Sequence, residues 1–415
     1  MEMLAPDIDP APGCGPVIPR LEGGRPLRQQ VFQRVRAAGR IPRADLAREL
    51  GISPASITAL TADLIAAGLI EETLPEAVGA RGRPRTALAV RPKAHLVVGI
   101  KLSLYEHTAV LVDFAGRLMA SETLRRGPGA VSPRALLDAT ARLVDRVCAT
   151  AGIARTDLSA IGMGLPGFVD AAAGTVFWSP VLDRRNVPLA AEASRRLGLP
   201  VQIDNDANVV TMAELWFGAG RTLSDFAVVT LIEHGVGMGY VLGHQIHRGS
   251  RGVGMELGHA KVQLDGALCR CGQRGCLEAY VADYALAREA TAALPDTGHD
   301  LREIEAILKA LHDEAEAGNA AARSIFQRAG RYLALGLSNI VNLFDPGLIL
   351  LSGERMRYEY VYASETLAAM AEFCVVTGRP APKVQIQAWG NLLWAHGAAA
   401  LALSDLSDRL LGAKT

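Results

Sequence analysis

One histidine and three cysteines crowd into a short window: His259, Cys269, Cys271 and Cys276. Imidazole and thiolate are the donors of tetrahedral zinc, and a full set of four leaves no position for water or substrate. The expected role of such a zinc is structural, one ion per chain. Cys269 and Cys271 can clip it from a tight turn, and Gly272 and Gly275 let the loop return with Cys276. Unligated buried thiols are the alternative. Glu256 and Glu278 lie just beside these ligands. A pinned loop would hold both carboxylates against a hydroxyl-rich ligand. His259 could hold the metal through one ring nitrogen and touch a sugar hydroxyl with the other.

A second polar group reads Asp204-Asn-Asp-Ala-Asn208, after the strand Val201 to Ile203 and at the start of a helical stretch. Carboxylates and amides on a strand-to-helix corner can grip sugar hydroxyls, and an aspartate there can deprotonate one. A polar helix cap without ligand is the other reading.

These groups need a scaffold, and from residue 95 onward strand and helix signals alternate. Strands are expected over 96–100, 108–112, 160–163, 200–203, 226–232, 346–351 and 384–388. Helices are expected over 133–150, 188–197, 206–217, 279–292, 301–312, 318–342 and 391–407. This is an α/β organisation, in which ligands sit at the carboxyl ends of strands. Glycine-rich turns are expected at Gly162–Gly167, Gly235–Gly239 and Leu351–Gly353.

The N-terminal part reads differently. Leu27, Val31 and Val35, with Phe32, follow helical spacing up to Gly39. A second helix over 43–50 packs through Ala44, Leu46, Ala47 and Leu50, and Gly51 turns the chain. Ser53-Pro54 caps a third helix whose buried stripe is Ile57, Leu60 and Leu64, with Ile65 beside it. Two helices across a glycine corner make a helix-turn-helix, which projects its second helix into a major groove. Any helical hairpin shares part of that pattern. Ala55, Ser56, Thr58 and Ala59 would lie on the outer faces of that second helix, the first two at its start, and small residues permit close approach to bases. A strand from Leu69, the run Gly79-Ala-Arg-Gly-Arg-Pro-Arg85 and a returning strand over 87–90 suggest a wing. Arg81, Arg83 and Arg85 there could reach phosphates or the minor groove. Eight arginines between positions 20 and 48, Arg43 among them, face only Glu22 and Asp45, so a local basic face could meet phosphates.

The chain has 415 residues, 43 basic and 43 acidic, so the whole is no general polyanion binder. Half of the residues are hydrophobic, enough for two or three cored domains. Cys14, Cys148 and Cys374 stand apart, a pattern that suits a reducing cytoplasm. No apolar run has membrane-spanning length, and the N-terminus lacks a basic start before an apolar stretch. The expected division is a flexible tail over 1–19, a DNA-binding domain over 20–92 and a ligand-binding domain over 93–415.

The motifs Gly164-Leu-Pro-Gly167, Asp204-Asn-Asp-Ala-Asn208, Glu256-Leu-Gly-His259 and the cysteine cluster through Glu278 resemble the repressor branch of the ROK family (repressors, open reading frames and kinases). The resemblance runs from about residue 24 to about 407. It implies a winged helix-turn-helix before an actin-like, two-lobed α/β sugar-kinase fold, with the C-terminal helix returning to the first lobe. It also implies dimers or tetramers on palindromic operators. Asn205, Asp206, Glu256, His259 and Glu278 match sugar-binding positions, and Asp206 matches the catalytic base of the kinases. Where those kinases carry an acidic, glycine-rich first phosphate loop, this chain reads Gly99-Ile-Lys-Leu-Ser-Leu-Tyr-Glu106. Its missing aspartate and glycines suit triphosphate poorly. The expected function is a repressor whose operator affinity changes with a sugar or sugar phosphate. An active carbohydrate kinase, or a repressor governed by a protein partner, are the alternatives.

Overall fold

The computed structural model describes residues 13–18, 24–73, 86–127, 129–232, 235–294, 304–353, 364–375, 378, 382–387, 390 and 392–412. The N-terminal head contains α1 (Leu27–Ala38), β1 (Ile41–Pro42), α2 (Arg43–Leu50), α3 (Pro54–Ala66), β2 (Ile70–Thr73) and β3 (Ala87–Val90). Its small sheet has the antiparallel order β1-β3-β2. Gly51, with φ 64°, ends α2 in the left-handed conformation, and the Ser53 hydroxyl caps α3 by accepting from the Ser56 amide at 3.1 Å. Val31, Phe32, Val35, Leu46, Ile57 and Leu64 are buried together. The helical stripes differ from expectation at three places. Leu27 and Ala44 are exposed, Leu60 is half-buried, and Thr61 is buried instead, its hydroxyl donating to the Ile57 carbonyl.

The body builds one five-stranded pattern twice. The first lobe has β4 (Leu96–Lys101), β5 (Glu106–Asp113), β6 (Leu118–Arg125), α4 (Pro133–Ala151), β7 (Leu158–Leu165), the hairpin β8 (Phe168–Asp170) and β9 (Thr175–Trp178), α5 (Leu189–Leu197) and β10 (Val201–Asn205). α6 (Asp206–Phe217) leads to the second lobe, with β11 (Phe226–Ile232), β12 (Gly235–Leu242), β13 (Gln245–His247), α7 (Glu278–Val281), α8 (Asp283–Ala293), α9 (Ile304–Glu316), α10 (Ala320–Phe344), β14 (Leu348–Ser352), α11 (Ser364–Phe373) and β15 (Lys383–Gln387). The sheet orders are β10-β7-β4-β5-β6 and β13-β12-β11-β14-β15. In both, a three-stranded antiparallel meander is followed by two parallel strands. The last helix, α12 (Leu393–Leu411), returns to pack on β4, β7 and α6.

The differences from the sequence reading have packing causes. Gly235–Gly239 and Gly162–Gly164 are strand residues of β12 and β7, not turns. Helices press flush on them: a Cβ on Gly162 would meet the Ala398 carbonyl at 1.8 Å, and one on Gly239 would meet Thr211 Oγ1 at 2.0 Å. The edge strands β6 and β9 and helix α11 had no expectation. Residues 13–18 are no loose tail. The amides of Cys14, Gly15 and Val17 donate to the carbonyls of Arg36, Trp216 and Arg221 at 3.1, 2.8 and 2.6 Å. No helix among the described residues is long and apolar enough to cross a membrane.

Candidate functional site

The loop between β13 and α7 brings His259, Cys269, Cys271 and Cys276 together, with their donor atoms all within 4.8 Å of one another. Cys269 Sγ lies 3.7 Å from His259 Nδ1, and Cys271 Sγ lies 3.8 Å from Cys276 Sγ. Tetrahedral zinc with Zn–S near 2.3 Å separates its sulfurs by about 3.8 Å, so the donors have the spacing of a four-ligand metal site. A small knuckle creates that spacing. The Gln273 carbonyl accepts from the Cys269 amide at 2.8 Å, and the Gly275 carbonyl accepts from the Val262 amide at 2.8 Å. Gly275, at φ 75°, has no space for a side chain, since a Cβ would sit 1.7 Å from the Gln263 carbonyl. Lys261 Nζ, 2.9 Å from Cys276 Sγ, adds a cation beside the thiols.

The same knuckle holds the carboxylates. Glu278 begins α7 and is buried, with Oε1 3.5 Å from Cys269 Sγ and 3.4 Å from the Tyr284 hydroxyl. Glu256 stands one turn before His259. Its carboxyl is pushed up to about 7 by burial and by the charges of Asp206 and Glu278. Asp206, at the start of α6, is also raised, by burial first, with Lys101 acting in the opposite direction. The three acids therefore share one field, contributed by both lobes.

Asn205 sits where β10 ends, in register with Leu165 of β7. Its Oδ1 accepts from the Ala207 amide at 2.8 Å and its Nδ2 donates to the Gly167 carbonyl at 2.8 Å. The neighbouring Asp204 and Asn208 turn inward instead. Asp204 Oδ2 accepts from Arg248 Nη2 at 2.5 Å, tying the lobes together, and Asp204 Oδ1 accepts from Asn208 Nδ2 at 2.8 Å. At the end of β4, in register with Gly164 of β7, Lys101 Nζ lies 4.2 Å from the Trp394 ring centroid. Leu102 beside it is buried, and Ser103 Oγ donates to the Glu106 carbonyl at 2.6 Å, closing a tight turn.

Two aromatic residues escaped the sequence reading. On the β8–β9 hairpin, Val169 and Val176 face the core, which leaves Phe168 and Trp178 on the other side. Their rings are 5.9 Å apart, and Phe168 lies 6.5 Å from His259, across the cleft. The alternation Phe-Val-Asp directly after Gly167 was the available signal.

In the head, Ala55, Ser56, Thr58 and Ala59 are exposed on α3. Ser56 Oγ is 2.8 Å from Ser53 Oγ, and the Thr58 hydroxyl donates to the Pro54 carbonyl. Several arginines of the expected basic face are tied to neighbours among the described residues. Arg43 pairs with Glu72 at 2.7 Å and donates to Thr61 Oγ1, Arg48 pairs with Asp45 at 2.8 Å, and Arg28 and Arg34 pair with Asp63 and Glu49. Arg36 is buried. Arg81, Arg83 and Arg85 lie outside the described residues.

A family model described as the ROK family matches residues 97–405, and one described as winged helix-turn-helix DNA-binding matches residues 26–71. The chain belongs to the ROK family. The crystal structure of a ROK-family transcriptional regulator, a homologue of E. coli Mlc, superimposes with TM-score 0.78 at 27% identity, covering 92% of this chain and 96% of that one. The putative xylose repressor of Caldicellulosiruptor sp. is 27% identical over 88% of this chain and 92% of its own. A ROK glucokinase from Streptomyces griseus, in complex with glucose and AMPPNP, matches with TM-score 0.63 at 29% identity, covering 74% of this chain and 99% of that one. That glucokinase matches about three quarters of this chain, while the regulator extends over more of it. The ROK body is thus an actin-like sugar-kinase fold, and a winged helix-turn-helix precedes it.

Proposed function

We propose that this chain is a sugar-responsive, DNA-binding transcriptional regulator, a repressor of carbohydrate genes. Operator DNA is held by the head, and a sugar or sugar phosphate is held in the cleft. One observation carries the effector half. His259 turns Nδ1 to the cysteines while its ring faces Phe168 across the cleft, so a metal clip and a ligand wall share one side chain. Structural zinc on His259, Cys269, Cys271 and Cys276 stiffens that wall. Asn205, Asp206, Glu256, His259 and Glu278 contact the hydroxyls, and Phe168 with Trp178 offers apolar surface to the sugar ring. The similarity to a xylose repressor and to an Mlc homologue supports the same reading.

Sugar binding proceeds here without phosphoryl transfer. Where the family resemblance sets the kinases' first phosphate loop, this chain has Lys101 beside the Trp394 ring and no glycine between Leu102 and Glu106, which supports a site whose Asp206 orients a hydroxyl with no triphosphate to attack. In the head, Ala55, Ser56, Thr58 and Ala59 approach bases, Arg43 stiffens the recognition helix and contacts the backbone, and the wing arginines Arg81, Arg83 and Arg85 grip phosphates. A dimer or tetramer would present two such heads to successive major grooves, in the cytoplasm. Calorimetry with D-xylose, D-glucose, N-acetyl-D-glucosamine and their phosphates, run beside a coupled ATP assay, tests the effector half. Binding without turnover is expected, and turnover at ordinary kinase rates would contradict it. Gel shifts on a promoter fragment test the head, and unchanged affinity in Arg83→Ala with Arg85→Ala would remove the wing from the interface.

A further inference from the structure

Arg36 belongs to the head, yet its guanidinium lies inside the body. It is 3% exposed, stacks 4.3 Å from the Trp216 ring centroid, and donates from Nη1 to Ser407 Oγ at 2.7 Å. Trp216 is near the last turn of α6, the helix that starts at Asp206 with Asn205 as its cap. Twelve residues at 1.5 Å each make α6 a rod of about 18 Å between the sugar end and the head. We propose that the Arg36–Trp216 stack, clamped by residues 13–18, is the joint through which the sugar end of α6 sets the position of the DNA-binding head.

The rod has no slack. Residues 207–216 of α6 are all buried. Its neighbour α12 approaches so closely that a Cβ on Gly397 would sit 1.7 Å from the Val209 carbonyl. α12 also supplies Ser407, so one guanidinium reads the positions of two helices that move together. On the opposite side, α6 packs on β12 of the second lobe. A ligand that closes the cleft therefore loads this helix from both lobes.

The clamp threads through the contact. The Cys14 amide donates to the Arg36 carbonyl and the Gly15 amide to the Trp216 carbonyl, at 3.1 and 2.8 Å, so one strand of chain holds both partners of the stack. Arg221 then bonds back, donating from Nε to the Gly15 carbonyl at 3.1 Å and from Nη2 to the Ala37 carbonyl at 2.6 Å.

The chemistry suits a joint better than a weld. Arg36 Nε has no hydrogen-bond partner, and the Asp408 carboxylate acts on the guanidinium through its charge. A buried cation held by one hydroxyl and by the faces of Trp216 and Phe32 is a poor stabiliser beside a well-packed leucine, but its contacts are directional. Apolar contacts, including Phe32 against Phe114 at 5.2 Å between centroids, already hold the head to the body.

The joint rests on the reading of the α6 N-terminus as the sugar end, and a double-mutant cycle tests it without knowledge of the sugar. Asp206→Asn and Arg36→Leu are combined, and affinity is measured by fluorescence anisotropy on a duplex from upstream of the chain's own gene. Sites this far apart are ordinarily additive. The joint predicts that Asp206→Asn shifts operator affinity by about threefold or more in the parent and by little in Arg36→Leu. Arg36→Lys, which keeps a cation over the ring, restores part of the shift. If Arg36→Leu fails to fold, Trp216→Phe replaces it. Equal shifts in both backgrounds, or none in either, overturn the joint. Coupling in a protein that binds no sugar would overturn the effector reading alone.

Discussion

The two parts of the proposed ligand site differ in kind. At the proposed sugar end, three carboxylates, an imidazole and a capping amide come from both lobes, and a knuckle that could hold a metal ion backs them. At the proposed phosphate end, an ammonium lies over the Trp394 ring, and Leu102 beside it is buried in the core of the first lobe. On the proposed reading, recognition and transfer are separable on this fold. A kinase needs both ends, whereas a sensor needs only the first, together with a mechanical link to something else. The proposed link is α6, which runs from Asp206 to the contact of Trp216 with Arg36 of the head.

That comparison can be broken at several points. The largest effect is expected from Cys271→Ser, which should remove the metal and weaken sugar binding by about tenfold to a hundredfold. Elemental analysis and calorimetry check both, and full metal content in the variant would refute the ligand assignment. Next, Asp206→Asn should weaken sugar binding about tenfold, while Lys101→Ala leaves a neutral sugar bound within about threefold. A large loss with Lys101→Ala for a sugar phosphate alone would show that the phosphate end has been converted to an anion receptor. Lys101→Asp, which returns an acid to that end, should still give no ATP turnover, because residues 102–106 still lack the glycines of a flexible phosphate loop.

The smallest effect concerns protons. Glu256 binds its proton more tightly in the folded chain than in the unfolded one, so its contribution to stability is greatest below about pH 4.5 and falls as pH rises through about 7. Glu256→Gln should therefore melt higher than the parent at pH 8, with the gap closing toward pH 5. Glu256 keeps part of its surface in water, so the gap should be only about 1 kcal/mol, a degree or two of melting temperature. A parent whose melting temperature responds to pH no differently from Glu256→Gln would remove the shared field.

Much of this was legible in the chain itself. Four metal donors in one window, the Ser53-Pro54 cap and the Asp204–Asn208 corner each carry a local physical signature. What escaped depended on packing between distant segments. Arg36 reads as one of eight basic residues, and only the meeting of α1 with Trp216 and Ser407 takes it out of solvent. Residues 13–18 carry no periodicity, because their order comes from backbone bonds to Arg36, Trp216 and Arg221. The strand glycines of β7 and β12 look like turns until helices are laid on them. Asp204 and Asn208, adjacent to Asn205 and Asp206, were indistinguishable from them before Arg248 was placed.

The most direct test titrates a labelled promoter duplex with the protein, at fixed salt, with and without a sugar that calorimetry shows to bind. The account predicts that saturating sugar changes the operator affinity by about tenfold or more. Identical isotherms with the cleft filled would contradict it.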